Sequence, residues 1–342
     1  LQLIGSFPCN MAEAEVSNEE AEQAMKSFAE ITGTDEIFAQ TFLQDVNWNL
    51  EAALNAFFTQ QGIGEVEFVN EEPNEAEGCH ESAPPSGESP VDLSGLEISL
   101  LSWNIDGLDG NSLKTRMLAV YKIVNQINAD FVFLQEVVER EIETLDKLKT
   151  FYNIYYSNRG SHYFTAILTS KMFSVDNHEV HHFENSRMER SLQIIEGKIG
   201  SVRVFLLNTH LESMAEHSDI RRAQFVECMQ RLDSISKQHP DALVFFGGDL
   251  NIRDDEVRNV PRGFNDAWEA AGSPSDHRFT WDQRKNDNKR GGFARCRFDR
   301  IFWRGGQGQL GNVRFSLHGQ QRIRSCLCFP SDHWAVHALF SA

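Results

Sequence analysis

Basic residues are scarce at one end of this chain: positions 1–98 hold 1 Lys or Arg against 20 Asp or Glu, so that stretch cannot by itself grip a polyanion. The remaining positions hold 31 basic and 30 acidic side chains, so the formal net charge of -18 belongs to the N-terminal third. A near-neutral remainder with local basic clusters can still hold a phosphate backbone. Long apolar runs are missing too. None approaches the ~20 residues that span a bilayer, and no membrane partner is expected. The six cysteines, Cys9, Cys79, Cys228, Cys296, Cys326 and Cys328, follow no paired ligand spacing, which argues for reduced thiols over a disulfide framework or a cysteine metal cluster. Leu1 to Asn10 is too short and too uncharged for a secretion signal and is assigned no function. No internal repeat is visible.

What is present divides into four stretches. Residues 1–17 are expected to be disordered. From 18 to 61, apolar residues at helical spacing predict three short helices. Ile37, Phe38, Phe42, Leu43 and Val46 form one stripe; Leu50, Ala53, Leu54, Phe57 and Phe58 form another, with Asn49 as its N-cap. A bundle this small buries a thin core and displays part of it to a partner. Residues 62–96 are acidic and contain Pro and Ser, with too little apolar surface to offset ordering entropy, and predict a flexible linker. Val66-Glu-Phe-Val69 within it reads as an incidental apolar patch.

From 97 to 342 short apolar strands alternate with single helices. Strands are predicted at Ile98 to Trp103, Phe131 to Leu134, Phe164 to Leu168, Leu192 to Ile195, Val202 to Asn208, Ala242 to Phe246, Arg297 to Phe302 and Trp334 to Phe340. Helices are predicted at Lys114 to Asn128, Glu139 to Lys149 and His217 to Lys237. This pattern fits an α+β class: a four-layered sandwich of two packed mixed sheets flanked by helices.

Five of these strands end in polar side chains. Phe245-Phe-Gly-Gly-Asp-Leu-Asn251 offers Asp249 and Asn251, two apart and so on one side of an extended chain. Such a pair suits phosphate chemistry: an Asp takes a proton from water while an Asn donates to a phosphate oxygen. Leu100-Leu-Ser-Trp-Asn-Ile-Asp106 offers Asn104 and Asp106. Phe131-Val-Phe-Leu-Gln-Glu136 ends in Glu136, a hard oxygen ligand that suits magnesium. Phe205-Leu-Leu-Asn-Thr-His210 precedes Glu212 and Ser213, and Ser331-Asp-His333 supplies Asp332 and His333. Singly, each reads as a turn, a cap or a half-buried polar residue. Five unrelated strands ending alike point to one site.

Ser102-Trp-Asn-Ile-Asp-Gly-Leu108, Leu134-Gln-Glu-Val137, Gly248-Asp-Leu-Asn251 and Ser331-Asp-His333 resemble, in order, the motifs of the exonuclease-endonuclease-phosphatase superfamily, with its DNase I-like fold. The resemblance covers nearly all of 98–342. Tyr163-Phe-Thr-Ala-Ile167, Thr209-His-Leu-Glu-Ser213, Asn251-Ile-Arg-Asp254, Thr280-Trp-Asp282 and Arg297-Phe-Asp-Arg-Ile-Phe302 extend it toward the superfamily's tyrosyl-DNA phosphodiesterase branch. Residues 18–61 resemble a ubiquitin-associated (UBA-like) domain through Ile31-Thr-Gly-Thr34 and Asp45-Val-Asn-Trp-Asn-Leu-Glu-Ala-Ala-Leu54, a module that branch also carries.

The resemblance implies hydrolysis of a 5′-phosphotyrosyl bond left on DNA by a stalled topoisomerase, with Mg2+, or Mn2+ as a substitute. It implies Glu136 as main metal ligand with Asp106 acting directly or through water. Asp249 would activate water, Asn104, Asn251, His210 and His333 would surround the phosphate, and Asp299 would orient His333. For Asp299 the residues alone leave a salt bridge with Arg297 or Arg300 equally open. Ser213, Arg253, Tyr163, Trp281 and Phe298 would contact DNA. Arg187-Met-Glu-Arg190 departs from the resemblance through the acidic Glu189, and no phosphate contact is assigned there. Expected partners are DNA with a 5′-phosphotyrosyl end and ubiquitin or a ubiquitylated protein. The expected location is the nucleus, with the cytoplasm second. An abasic endonuclease, another phosphatase of this superfamily, and a ubiquitin-binding scaffold with an inactive hydrolase domain are the alternatives.

Overall fold

The computed structural model describes residues 18–32, 35–46, 48–50, 52–53, 57, 66–69, 97–289, 291–306 and 310–342, in two compact units divided after residue 65. In the first unit, α1 (Asn18–Thr32) and α2 (Glu36–Asp45) form where apolar residues recur at helical spacing. Asp35 caps α2 by accepting from the Phe38 N–H, and Asn49 accepts from the Ala52 N–H, as expected of an N-cap. Phe28, Phe42 and Phe57 meet in a buried aromatic cluster with Leu43 and Ala53. Ile37 leaves its predicted stripe and is 81% exposed. It lies two residues from the buried Ala39, far round the helix from the inward face. Leu54 and Phe58 fall outside the described residues, as do 1–17.

Among the described residues the second unit holds fourteen strands: β1 (Glu97–Asn104), β2 (Phe131–Val137), β3 (Tyr152–Tyr156), β4 (Phe164–Ser170), β5 (Ser174–His182), β6 (Ser191–Ile199), β7 (Val202–His210), β8 (Leu243–Asp249), β9 (Asn265–Asp266), β10 (Trp281–Asp282), β11 (Arg295–Cys296), β12 (Asp299–Gly305), β13 (Asn312–His318) and β14 (Ala335–Ser341). They form two six-stranded sheets, ordered β13-β14-β1-β2-β4-β3 and β5-β6-β7-β8-β12-β9, and a small β10-β11 ribbon. Alternate residues of the central strands face inward. Leu100, Phe131 and Phe133 of the first sheet meet Leu206, Phe245 and Trp303 of the second. The intervening residues face outward and are covered by helices: α3 (Leu113–Ile127) packs Met117, Val120 and Val124 with Leu101, Trp103 and Val132. On the other sheet α5 (Ser218–Gln238) packs Phe225, Met229 and Leu232 with Leu207, Val244 and Phe246. Each such large side chain contributes ~2 kcal/mol by leaving water. The expected four-layered sandwich is therefore what forms.

Glu139 to Lys149 is not one helix. A short α4 (Ile142–Asp146) stands between two 3-10 turns. The buried residues Ile142, Leu145 and Leu148 recur every three positions, a period that 3-10 geometry satisfies. Val66 to Val69, inside the stretch predicted to be linker, belongs to the second unit and packs within it. Phe68 bridges Ile323, the Val69 N–H donates to the Arg322 carbonyl, and Val66 joins Ala119 and Ile323 in an apolar cluster. Val66 and Phe68 are two apart, so both reach the same surface. Cys326 and Cys328 are bonded to each other, contrary to the expectation of reduced thiols. A tight turn closed by Ile323 N–H to Cys328 C=O brings them together.

Candidate active site

β1 runs parallel to β2, and β7 parallel to β8, while the other pairings are antiparallel. Parallel neighbours end together. Asn104 and Glu136 therefore emerge at one edge of the first sheet, and His210 and Asp249, paired in register, at one edge of the second. Two local distortions aim them. A register shift between Leu134 and Val137 and a positive φ of 56° at Glu136 swing that side chain off the β2 face. Close approach at Gly107 permits it, since a Cβ there would lie 2.2 Å from the Glu136 carbonyl oxygen. Gly248 has φ 129°, and its Cβ would fall 1.9 Å from the Thr209 carbonyl, so glycine is required just before Asp249.

The polar groups meet across the sheets. Asn104 Nδ2 donates to Asp249 Oδ2 at 2.9 Å and to Glu136 Oε1 at 3.2 Å. His210 Nε2 lies 3.2 Å from the same Asp249 oxygen, and its Nδ1 is 2.7 Å from Arg190 Nη1. A guanidinium only donates, so Nδ1 accepts and the ring proton sits on Nε2, facing Asp249. His333 Nδ1 is 2.8 Å from Asp299 Oδ2, and its Nε2 is 3.8 Å from Asp249 Oδ2. Thr280 Oγ1 donates to Asp299 Oδ2 at 2.6 Å. Below the site, Gln135 Nε2 donates to Asn208 Oδ1, and Asn208 Nδ2 donates to the Leu134 and Ala166 carbonyls. These buried bonds tie the two sheets together directly beneath the reacting groups.

Burial disfavours the charged form of Asp249, but the His210 and His333 rings and the hydrogen bonds from His210 and Asn104 outweigh it and hold the carboxyl well below its usual range. Burial likewise opposes protonation of His333, and the facing Asp299, Asp249 and Asp332 carboxylates override it and push the imidazole well above its usual range. Asp299 is raised by burial despite His333. The product is an ionised Asp249 beside a protonated His333. Asp106 behaves oppositely: burial and the Asp332 carboxylate push it up to about 7, against Arg116 and Lys289.

Among the described residues, Asp249, Asp299 and His333 bring ligand-type atoms within 4.8 Å of one another. Hydrogen bonding accounts for that closeness, because the ring stands between two carboxylates and is bonded to Asp299. The predicted ligands Glu136 and Asp106 fit a hard cation on different grounds. Both are carboxylates at one strand edge, and Asp106 Oδ2 is buried with no hydrogen-bond partner.

The other predicted residues gather nearby. Asn251 is half-buried at φ 49°; its N–H donates to Asp249 Oδ1 and its Nδ2 to the Leu211 carbonyl. Tyr163 lies beneath the Arg190 guanidinium, 5.0 Å from ring centre to Cζ, and Ser213 Oγ accepts from Arg190 Nη2. The Trp281 ring stands 5.6 Å from that of Phe298, and its Nε1 donates to Asp332 Oδ2. Arg253 is exposed on the turn after Asn251. Arg297 and Arg300 pair with Asp254 and Asp266, which leaves Asp299 to His333 and removes the salt-bridge reading.

Sequence reasoning passed over three cations. Arg190 was discounted with its acidic neighbour, yet Glu189 is exposed while Arg190 is buried against His210. Arg116 reads as a surface residue of α3 but is buried, donating to the Ile105, Asp106, Asp109, Asn111 and Pro330 carbonyls that shape the loop after β1. Lys289 gave no signal at all. Its Nζ lies 3.0 Å from Asp106 Oδ1 and 2.7 Å from Asp109 Oδ2.

The sequence that builds these two sheets and this edge, residues 101–333, matches an endonuclease/exonuclease/phosphatase family model, and a UBA-like domain model matches 20–64. The chain belongs to the endonuclease/exonuclease/phosphatase family, and within it to the tyrosyl-DNA phosphodiesterase 2 group. It is 55% identical over 334 residues to a 5′-tyrosyl-DNA phosphodiesterase of Caenorhabditis briggsae, covering 96% of this chain and 93% of that one. Tyrosyl-DNA phosphodiesterase 2 of Rattus norvegicus is 36% identical, with 90% and 87% covered. A crystal structure of TDP2 from Caenorhabditis elegans superposes with TM-score 0.72 at 50% identity, covering 100% of this chain and 99% of that one. A Danio rerio TDP2 complexed with single-strand DNA product superposes with TM-score 0.67 at 33% identity, covering 72% and 99%.

Proposed function

We propose that this chain is a divalent-cation-dependent 5′-tyrosyl-DNA phosphodiesterase that frees a topoisomerase tyrosine from a DNA 5′ end and leaves a 5′ phosphate for break repair. One observation carries the reading: Asp249, held ionised and bonded by Asn104 and His210, sits beside a His333 that Asp299 keeps protonated. Asp249 aligns the attacking water and takes its proton. Asn251 and the protonated His333 donate to phosphate oxygens as charge gathers there, the His333 charge offsets the added negative charge, and Asn104 and His210 hold Asp249 in place. Glu136 would hold the cation, Mg2+ or Mn2+, with Asp106 acting directly or through water. When bound, that ion neutralises the phosphate oxygens. The leaving tyrosine, with a phenol pKa of ~10, departs as phenolate with little acid assistance.

Arg253 and Ser213 suit backbone phosphates, while Trp281, Phe298 and Tyr163 offer apolar faces to an unpaired 5′ end. The N-terminal unit recruits ubiquitin or a ubiquitylated protein, and the substrate places the chain in the nucleus. The test compares three substrates with the full chain and Mg2+: a 5′-phosphotyrosyl oligonucleotide, its 3′ counterpart and an abasic duplex. Rapid tyrosine release from the first alone supports the reading; preference for either of the others contradicts it.

A further inference from the structure

The loop between β5 and β6 carries Arg190 to His210, and a buried carboxylate outside the reacting set holds that loop in shape. Glu212, two residues past the end of β7, is fully buried. Its Oε1 accepts from the Arg187 N–H at 2.9 Å, and its Oε2 accepts from Ser186 Oγ at 2.8 Å and from Gln224 Nε2 at 3.2 Å. The neighbours fix the direction of each bond. Gln224 Oε1 accepts from the Glu212 N–H at 2.9 Å, so its NH2 must face the carboxylate. Ser186 Oγ accepts from the Met188 and Arg190 N–H groups at 3.1 and 2.8 Å, which fills its lone pairs and commits its proton to Glu212. Three donors thus converge on Glu212, and only a side chain that accepts at both ends satisfies them. Through Ser186 the carboxylate holds the main chain of Arg190 itself. The guanidinium then reaches His210 Nδ1 at 2.7 Å and Ser213 Oγ at 3.2 Å.

We propose that Glu212 is a positioning residue of the hydrolysis: through Ser186 and the Arg187 N–H it sets the β5–β6 loop so that Arg190 meets His210 Nδ1, which keeps the ring proton on Nε2 and directed at Asp249. The links from Glu212 to Ser186, Arg190, His210 and Asp249 measure 2.8, 2.8, 2.7 and 3.2 Å in turn. Glu212 touches no reacting atom and works through Arg190. Glu212→Gln keeps the volume but replaces one oxygen with an NH2, which faces a donor whichever way it turns. The inference rests on the proposed phosphodiesterase site but is read on the His210 ring, without substrate.

The experiment compares the full-length wild type, Glu212→Gln and Ser186→Ala by nitrogen NMR of the neutral histidine rings, with His210 assigned from a His210→Asn spectrum, and by single-turnover tyrosine release. In the wild type the His210 proton sits on Nε2; in both variants it should divide between the two nitrogens. Release should slow by roughly 10- to 100-fold in each variant. Adding Arg190→Met should slow it no further, whereas damage to the fold alone would multiply with the Arg190→Met loss. Thermal unfolding shows whether Glu212→Gln keeps its fold; where it does not, Ser186→Ala decides, because Ser186 is only half-buried. A His210 proton that stays on Nε2 in a folded variant, or losses that multiply with that of Arg190→Met, overturns the proposal. If the proton moves as expected but the wild type cleaves no 5′-phosphotyrosyl substrate, the activity reading fails and the Glu212 assignment stands.

Discussion

His333 keeps its proton far above the usual imidazole range because Asp299, Asp249 and Asp332 face it, and Asp299 is the nearest. Its charge is thus present across neutral pH and lost only on the alkaline side. Asp299→Asn removes the largest of these attractions and lowers the His333 pKa, so the alkaline limb of the kcat/KM profile should move to lower pH. The same sign holds for stability: the His333 contribution is complete below pH ~6.5 and fades as pH rises through the folded value. Asp249 has the opposite sense, its contribution fading as acid approaches its depressed folded value. A pH-rate profile unchanged in Asp299→Asn would sink the role given to that pair. Arg190→Met should cost 10- to 100-fold in kcat, since His210 Nδ1 then loses its donor and the ring is free to turn its proton away from Asp249. Single-turnover rates check this. The acids, histidines and asparagines were legible in sequence because they sit at the ends of strands recognisable by their apolar runs. Arg190 and Lys289 were not, because their partners lie 20 and 183 positions away.

At the scale of elements, the site depends on where strands stop. Gly248→Ala would place a methyl group 1.9 Å from the Thr209 carbonyl in a backbone region closed to alanine, so β7 and β8 would part at Asp249. A loss on the order of 3 kcal/mol in denaturant unfolding is expected, together with loss of activity. The central strands were readable because they are buried on both sides. β3, β5 and β13 escaped notice. β5, Ser-Val-Asp-Asn-His-Glu-Val-His-His, is mostly exposed at a sheet edge and carries too few apolar residues to signal a strand. Val66 to Val69 reads in sequence only as an incidental apolar patch, because four residues show no period and their binding surface, around Ile323, is remote in sequence. Phe68→Ala should lower the stability of the second unit by about 1–2 kcal/mol, detectable as a lower Tm. An unchanged Tm would mean that the segment does not hold to that surface in solution.

For the whole molecule, the division after residue 65 separates an acidic helical unit from the sandwich that carries every proposed reacting group. A chain of residues 66–342 should therefore cleave within about twofold of the full chain while losing ubiquitin binding; both are measurable on one preparation. A chain of residues 98–342 lacks the Val66 to Val69 segment and should unfold at lower temperature. Fold class was visible in the sequence because apolar runs and helical periodicity alternate from residue 97 onward, whereas the start of the second unit at Val66 was hidden in acidic surroundings. The most direct test of the central claim is single-turnover release of tyrosine from a 5′-phosphotyrosyl oligonucleotide by the full chain with Mg2+, compared with Asp249→Asn. The wild type should release tyrosine and leave a 5′ phosphate, with the variant slower by 10²- to 10⁴-fold at unchanged fold. Equal rates, or no release by the wild type, would contradict the account.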